Sequence, residues 1–284
     1  MRSLTGFTLV ELLVALALFA AVSAGVYRLL AGNQRLHVAQ GQAIALRQNV
    51  RAGAAILPAE LRELDAIDGD LVVIGPTTIT LRAARQLALL CAQPVLGSGS
   101  QELTIRVERF HGVRDFDPAS DSVLVYYEGD ENTDADDGWV RGRLLTVRPQ
   151  PCPDGRPGRA LAAVLAFDAP QSGVTGHIPD GAPLRGFATV TYRLYQAADR
   201  RWYLGYQEGL DVVQPLIGPL RPDGVAFAYF DSAGGVTAEP ARVAGIEVTL
   251  RGESARPTRQ RDGTVAFAQD EITTWVALRN NRRY

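Results

Sequence analysis

Residues 7–27 form an almost unbroken apolar run, from Phe7 through Leu9, Val10, Leu12, Leu13, Val14, Leu16, Leu18 and Phe19 to Val22, Val26 and Tyr27. At about 1.5 Å per helical residue the run spans roughly 30 Å, the thickness of a bilayer core. A short polar leader, residues 1–6 with Arg2 as its one charge, precedes it. One reading is a secretory signal peptide, with small residues at Ser23 and Ala24 offering a cleavage site. A single acidic residue inside the run, Glu11, argues against that reading.

An ionised carboxylate near the membrane centre costs on the order of 3 kcal/mol even on lenient insertion scales. A signal that is cut off and discarded has no reason to carry one. The carboxylate makes sense if a cation meets it within the membrane. Cleavage after Gly6 would create such a cation, the free α-amine of Phe7, four residues from Glu11. A small residue before the cut and an apolar one after it suit a protease working at the cytoplasmic face.

The segment Gly6-Phe7-Thr8-Leu9-Val10-Glu11-Leu12-Leu13-Val14-Ala15 resembles the class III signal of type IV pilins and type II secretion pseudopilins. The resemblance implies cleavage between Gly6 and Phe7 by a prepilin peptidase and N-methylation of Phe7. It implies that Glu11 supports assembly by pairing with the Phe7 amine of a neighbouring subunit, which stays cationic when methylated. The leader departs from many family members in having a single arginine. Arg28 and Arg35 follow the span, so the count of positive charges does not orient it. The family analogy does, with Met1 cytoplasmic and the bulk of the chain outside.

Beyond the span, Leu36, Ala39, Ala43, Leu46, Val50, Ala54, Leu57, Leu61 and Leu64 recur at gaps of three and four, an amphipathic helical stripe. It crosses Pro58 in phase, which predicts a kink or brief break there. From Asp70 onward the period becomes two. Strands are expected at residues 71–74, 77–83, 87–92, 103–109, 122–128, 139–148, 162–167, 188–196, 202–207, 225–231, 245–251 and 273–280. The Gly- and Pro-rich segments 155–158 and 179–183 read as loops on a seam between two sub-sheets. The expected architecture is α+β and pilin-like: a long N-terminal helix, transmembrane then amphipathic, packed on an antiparallel β-rich head. The expected divisions are a leader (1–6), a membrane half of the helix (7–30), an amphipathic half (31–66) and a periplasmic head (67–284).

Residues 123–127 and 139–140 parallel residues 189–193 and 202–203, each an aromatic strand, a loop and a tryptophan; coincidence explains this more simply than a repeat. The succession 190–194, 202–204, 224–231 and 243–251, closing with 276–280, is similar to minor (pseudo)pilins of the PilW and GspJ type. These motifs are short and apolar, and they gain meaning only from the leader. A head this large suits a minor subunit, since it would crowd a filament built of hundreds of copies.

The 29 basic residues include no lysine, which excludes Schiff-base chemistry and a Walker phosphate loop. A net charge of −2 gives no bulk case for nucleic acid. His37, His111 and His177, with Cys91 and Cys152, are too scattered for a zinc site. In an oxidising compartment Cys91 and Cys152 are expected to form a disulfide rather than remain buried thiols. Asp130, Asn132 and Asp134, followed by Asp136, have the spacing that opens a calcium loop, but Ala135 replaces the turn glycine and Arg141 the bidentate glutamate. A solvated acidic hairpin tip is the preferred reading, with no cofactor. Arg256, Arg259 and Arg261, and Arg279, Arg282 and Arg283 near the C-terminus, read as solvated loop residues. His111 near Asp115 and Asp117 has no nucleophile beside it, and no enzyme is expected.

The sequence therefore points to a structural minor prepilin whose partners are the peptidase, other major and minor (pseudo)pilins and the inner membrane. It would help to initiate or cap a type IV pilus or a type II secretion pseudopilus. Two other classes stay open: a DNA-binding minor pilin of a competence pilus, and a secreted β protein with an ordinary signal peptide.

Overall fold

The computed structural model describes residues 8–95, 99–130, 132, 137–166, 177–259 and 264–279. One helix, α1 (Leu9–Arg62), is followed by strands β1 (Leu71–Ile74), β2 (Thr78–Leu89), β3 (Gln101–Arg106), β4 (His111–Gly112), β5 (Asp121–Tyr127), β6 (Gly138–Pro149) and β7 (Gly158–Ala166). Then come β8 (Pro183–Gln196), β9 (Trp202–Glu208), β10 (Gln214–Phe230), β11 (Gly245–Glu253), β12 (Thr258–Arg259), β13 (Val265–Ala266) and β14 (Gln269–Ala277). The architecture is α+β and pilin-like, a long apolar N-terminal helix packed on a large antiparallel sheet.

Helix α1 runs 54 residues without interruption. Leucine and alanine dominate it, and both lose little side-chain freedom in a helix. Its first half contains a stretch of mean hydropathy 2.4, none of it buried, long and apolar enough to cross a membrane. Only the second half packs: Leu46, Val50, Leu57 and Leu61 are buried against β10, β11 and β14. The expected stripe is therefore half realised, and Leu36 stands 57% exposed. Of the kink or brief break expected at Pro58, the break does not occur. Pro58 is itself buried, between turns anchored by Leu57 and Leu61, and the helix ends four residues later. Two glycines bring helix and sheet together. A Cβ on Gly53 would lie 2.6 Å from Leu250 Cδ1, and one on Gly252 would lie 2.6 Å from Leu46 Cδ1 and from Val50 Cγ2.

Among the described residues twelve strands form one sheet whose pairs are all antiparallel, and β8 is its branch point. One edge of β8 pairs with β2 along most of its length, from Thr78↔Arg193 to Leu89↔Pro183. The other edge is shared: residues 184–188 pair with β5 and residues 190–196 with β9. Through β9 the sheet continues to β10, β11 and β14 beneath the helix, enclosing a first core. Through β5 it continues to β6, β7 and β3, and then returns to β2. The return is made by the Leu90↔Ile105 bridge and the Cys91 N–H bond to Thr104 O at 2.8 Å. Six strands thus close around a second core that includes Leu90, Leu103, Ile105, Val123, Val125 and Leu161.

Several strand expectations change. Residues 77–83 and 87–92 belong to one strand, β2, with a bulge at Arg85: Ala84 faces Phe187 and Gln86 faces Gly186, leaving Arg85 without an opposite residue. Strand β10 starts at Gln214 rather than 225, because its first half pairs with β9 and its second with β11. Its prolines fall where the register shifts, as their missing N–H requires. The loops expected on a seam lie instead where the six strands close. Gly181 N–H donates to Leu90 O and Gly155 N–H to Cys152 O, whereas the division of the sheet falls within β8. Both aromatic segments are hairpins, β5–β6 and β8–β9, with cross-strand pairs Tyr126↔Trp139 and Tyr195↔Tyr203.

Cys91 and Cys152 are bonded across this closure, with Cα atoms 5.7 Å apart. Gly158 lies beneath the bridge, where a Cβ would meet Gln150 O at 2.6 Å, Cys152 Sγ at 2.9 Å and Ile105 O at 3.0 Å. Backbone atoms cannot swing aside as a side-chain tip can. Gly158→Ala is expected to destabilise the head by about 1–3 kcal/mol, whereas Gly138→Ala, with nothing within 4 Å, should leave it within about 1 kcal/mol. Urea unfolding of the full chain in detergent, followed by tryptophan fluorescence, checks the contrast.

Candidate functional site

The helix start and the head are separate candidate regions. At the start, Thr8 caps α1, and it forms a reciprocal capping box with Glu11. Glu11 N–H donates to Thr8 Oγ1 at 3.3 Å, while Thr8 N–H and its hydroxyl each donate to Glu11 Oε2 at 3.0 Å. The sequence reading gave Glu11 only a cationic partner; the structure adds a local one. Two donors on the carboxylate lower its cost in an apolar surrounding, and the acid also suits the positive end of the helix dipole. Gly6 and Phe7 lie outside the described residues.

In the head, a groove of about 540 Å³ separates α1 from the sheet near the branch in β8. Glu60 on the helix, Arg85 on the β2 bulge, and Tyr206 and Glu208 on β9 line it together with Arg114. Arg85 Nη1 is 3.1 Å from Glu60 Oε1, and its Nε is 3.9 Å from Glu208 Oε2. Arg114 donates to Asp121 through both terminal nitrogens, at 2.7 and 2.6 Å, and also to Glu208. Asp121 has a side chain with 0% exposure, and it also accepts from Gln86 Nε2 at 3.1 Å and Asp117 N–H at 2.7 Å. The Tyr206 hydroxyl donates to Glu208.

The shifts follow from this arrangement. Burial works to raise the Glu208 carboxyl, but hydrogen bonds from Tyr206 and Arg114 outweigh it and hold the group below its ordinary value. Tyr206 is pushed up by burial and by its bond to that carboxylate. Arg114 is pushed up chiefly by its bonds to Asp121. The charges are spent on one another. The network fastens the helix to both branches of the sheet.

None of these partners was singled out from sequence. Glu60, Arg85, Arg114 and Glu208 are brought together only by the fold, and the one local signal was the gap between the two strands expected for β2. A second buried cation, Arg82, lies over the Phe187 ring at 5.3 Å and pairs with Asp70 at 3.1 Å. Burial lowers the Arg82 guanidinium and raises the Asp70 carboxyl.

The other sequence candidates fall as follows. Asp130 Oδ1 accepts from Asn132 N–H at 3.0 Å and from its side-chain amide at 2.7 Å, which holds the Asp130 carboxyl below its ordinary value. Asp134 and Asp136 lie outside the described residues, and among the described residues no group of three or more His, Cys, Asp or Glu side chains could hold a metal. Asp115 pairs with Arg159 at 2.6 Å, and Asp117 accepts from Ala119 N–H and the Ser120 hydroxyl. Neither bond is to His111. Arg256 is exposed at the approach to β12, Arg279 N–H donates to Arg62 O at 3.1 Å, and Arg261, Arg282 and Arg283 lie outside the described residues.

Arg114→Met would leave Asp121 buried without its cation. The expected loss is about 3 kcal/mol in urea unfolding, with part of it recovered in Arg114→Met/Asp121→Asn, because the uncompensated charge is then gone. Equal stability of the wild type and the single variant would show that the network does not fasten the head.

A family model described as the prokaryotic N-terminal methylation motif matches residues 1–27. Comparison with curated proteins and with solved structures gives no match. The matched segment runs into the unburied apolar half of α1, and it supports a type IV pilin-like prepilin.

Proposed function

We propose that the chain is a minor prepilin, cut after Gly6, methylated on Phe7 and built into a type IV pilus or a type II secretion pseudopilus, where it helps to initiate or cap assembly. The observation that carries this reading is the N-terminal methylation motif at residues 1–27, set on a helix whose first half is unburied and whose second half is the spine of a folded head. A segment of this kind anchors the head in the inner membrane before assembly. The Leu9 to Tyr27 stretch would sit in the bilayer and the sheet in the periplasm. The prepilin peptidase and other (pseudo)pilins are then the partners.

The size of the head supports the minor role. Twelve strands on one helix make a bulky unit, which suits a position present once at a filament end better than one repeated along it. The segments 190–194, 202–204, 224–231, 243–251 and 276–280, read as resembling minor subunits of the PilW and GspJ type, suit the same role. The disulfide across the closure of the six strands fits an oxidising compartment.

Mass spectrometry of the N-terminal peptide, after expression beside a prepilin peptidase, tests the reading. The expected product begins at methylated Phe7; a chain beginning at Ala24 or Gly25 would contradict it. Glu11→Val is expected to leave membrane insertion intact or improved, since it removes a carboxylate from the span, while incorporation into filaments falls. Undiminished incorporation would show that the carboxylate has no part in assembly.

A further inference from the structure

Strand β14 ends the order of the main sheet, with β11 on one side and, among the described residues, no strand on the other. It pairs with β11 without a register shift, from Gly245↔Ala277 to Glu253↔Gln269. Just past one end of this ladder Leu278 N–H donates to Ala244 O, and just past the other Ser254 N–H donates to Ala268 O. In an antiparallel pair, residues that exchange hydrogen bonds alternate with residues that do not. Even-numbered residues of β14 therefore bond to β11. Gln269, Glu271, Thr273, Trp275 and Ala277 turn their N–H and C=O groups to the open side, and all five are exposed. Natural edges are blunted by proline, a bulge or charge; residues 272–277 carry none of the three.

The surroundings of the strand narrow the choice of partner. Leu46 and Val50 lie against Gly252, which pairs with Asp270, and Gly53 lies against Leu250, which pairs with Ile272. Further along, Arg62 O accepts from Arg279 N–H. Helix α1 thus runs beside β14 in the same direction. A second copy paired antiparallel about Thr273 would carry its apolar half the opposite way, and the two could not enter one bilayer. A second copy paired parallel would set Asp270 and Glu271 beside their own counterparts, and like charges opposite one another destabilise a strand pair. These facts favour a strand from a different chain, with a base facing Asp270 or Glu271 and an apolar residue beside Trp275. That tryptophan is 52% exposed, its ring 4.8 Å from Phe230.

We propose that the open edge of β14 receives an extended strand of a neighbouring (pseudo)pilin, joining the two heads through backbone hydrogen bonds. The proposal rests on the membrane-anchored prepilin reading above. Because β14 lies along α1, the added strand lies next to the helix that enters the filament.

The test compares Thr273→Pro with Thr273→Val in the full chain, expressed with the (pseudo)pilins of its own filament. Both lose the hydroxyl bond to Thr249, but only proline removes an outward N–H, and it leaves the ladder to β11 whole. Incorporation is expected to fall about tenfold for proline and to stay at the wild-type level for valine. Asp270→Lys, which keeps every backbone bond, should lower it about fivefold; unchanged incorporation would overturn the base assigned to the partner. A proline variant that fails to fold leaves the decision to hydrogen exchange in the wild type. There the amides of Glu271, Thr273 and Trp275 are expected to exchange freely in nanodiscs holding this chain alone, and to slow about tenfold or more in the filament. Equal incorporation of the proline and valine variants, or unchanged exchange in the filament, would overturn this proposal alone. Slowed exchange in nanodiscs holding two copies and no other subunit would reassign the edge to a second copy and also overturn it. Failure of the wild type to enter any filament would overturn the prepilin reading with it.

Discussion

The contact that the rest of the molecule depends on is the close approach of α1 to β11, with Gly53 on the helix and Gly252 on the strand. With no Cβ at either position, Leu46, Val50 and Leu250 occupy the space between the two elements. The helix axis is thereby fixed against β10, β11 and β14, and so is the direction in which its unburied half leaves the head. A helix alone could carry an apolar end at any angle. Anchored at Leu46, Val50, Leu57 and Leu61, it carries that end along one line.

The charged groove is the second fastening, and it shows why a bulge matters. An ordinary β2 would turn Arg85 in step with its neighbours. The extra residue re-aims its guanidinium toward Glu60 and Glu208. Arg114 completes the chain to Asp121 on β5. The helix, the branch under it and the closed six-stranded branch are then joined at the place where β8 divides. Pairs with one member exposed add little on their own. Here the shared acceptor Glu208 and the enclosed Asp121 make the group act together.

Much of this was legible in the sequence, for local reasons. Glu11 within an apolar run announces itself, as does a stripe at gaps of three and four, and period-two strands such as 122–128 keep alternate side chains buried, as β5 does at Val123, Val125 and Tyr127. The places that were not legible are long-range. Nothing local shows that Pro58 is buried inside a continuous helix. Nor does any spacing reveal that residues 214–224, with three prolines, pair with β9 before the same strand changes partner. The groove was hidden for the same reason, since Glu60 and Glu208 meet Arg85 only after the sheet forms. Glu11 was half read: the charge stood out, but its capping partner Thr8 was passed over.

The central claim is that one unbroken helix serves two surroundings, bilayer along its first half and protein along its second, with a short bare length between. Oxygen and nickel-chelate accessibility of spin labels at Val14, Leu18, Val22 and Ile44, in the full chain in bilayers, tests this most directly. All four side chains are exposed in the isolated chain, so protein packing does not distinguish them. The account predicts that oxygen reaches labels at Val14, Leu18 and Val22 while the nickel chelate does not, and that the chelate reaches Ile44. Nickel accessibility at Val14 equal to that at Ile44 would contradict it.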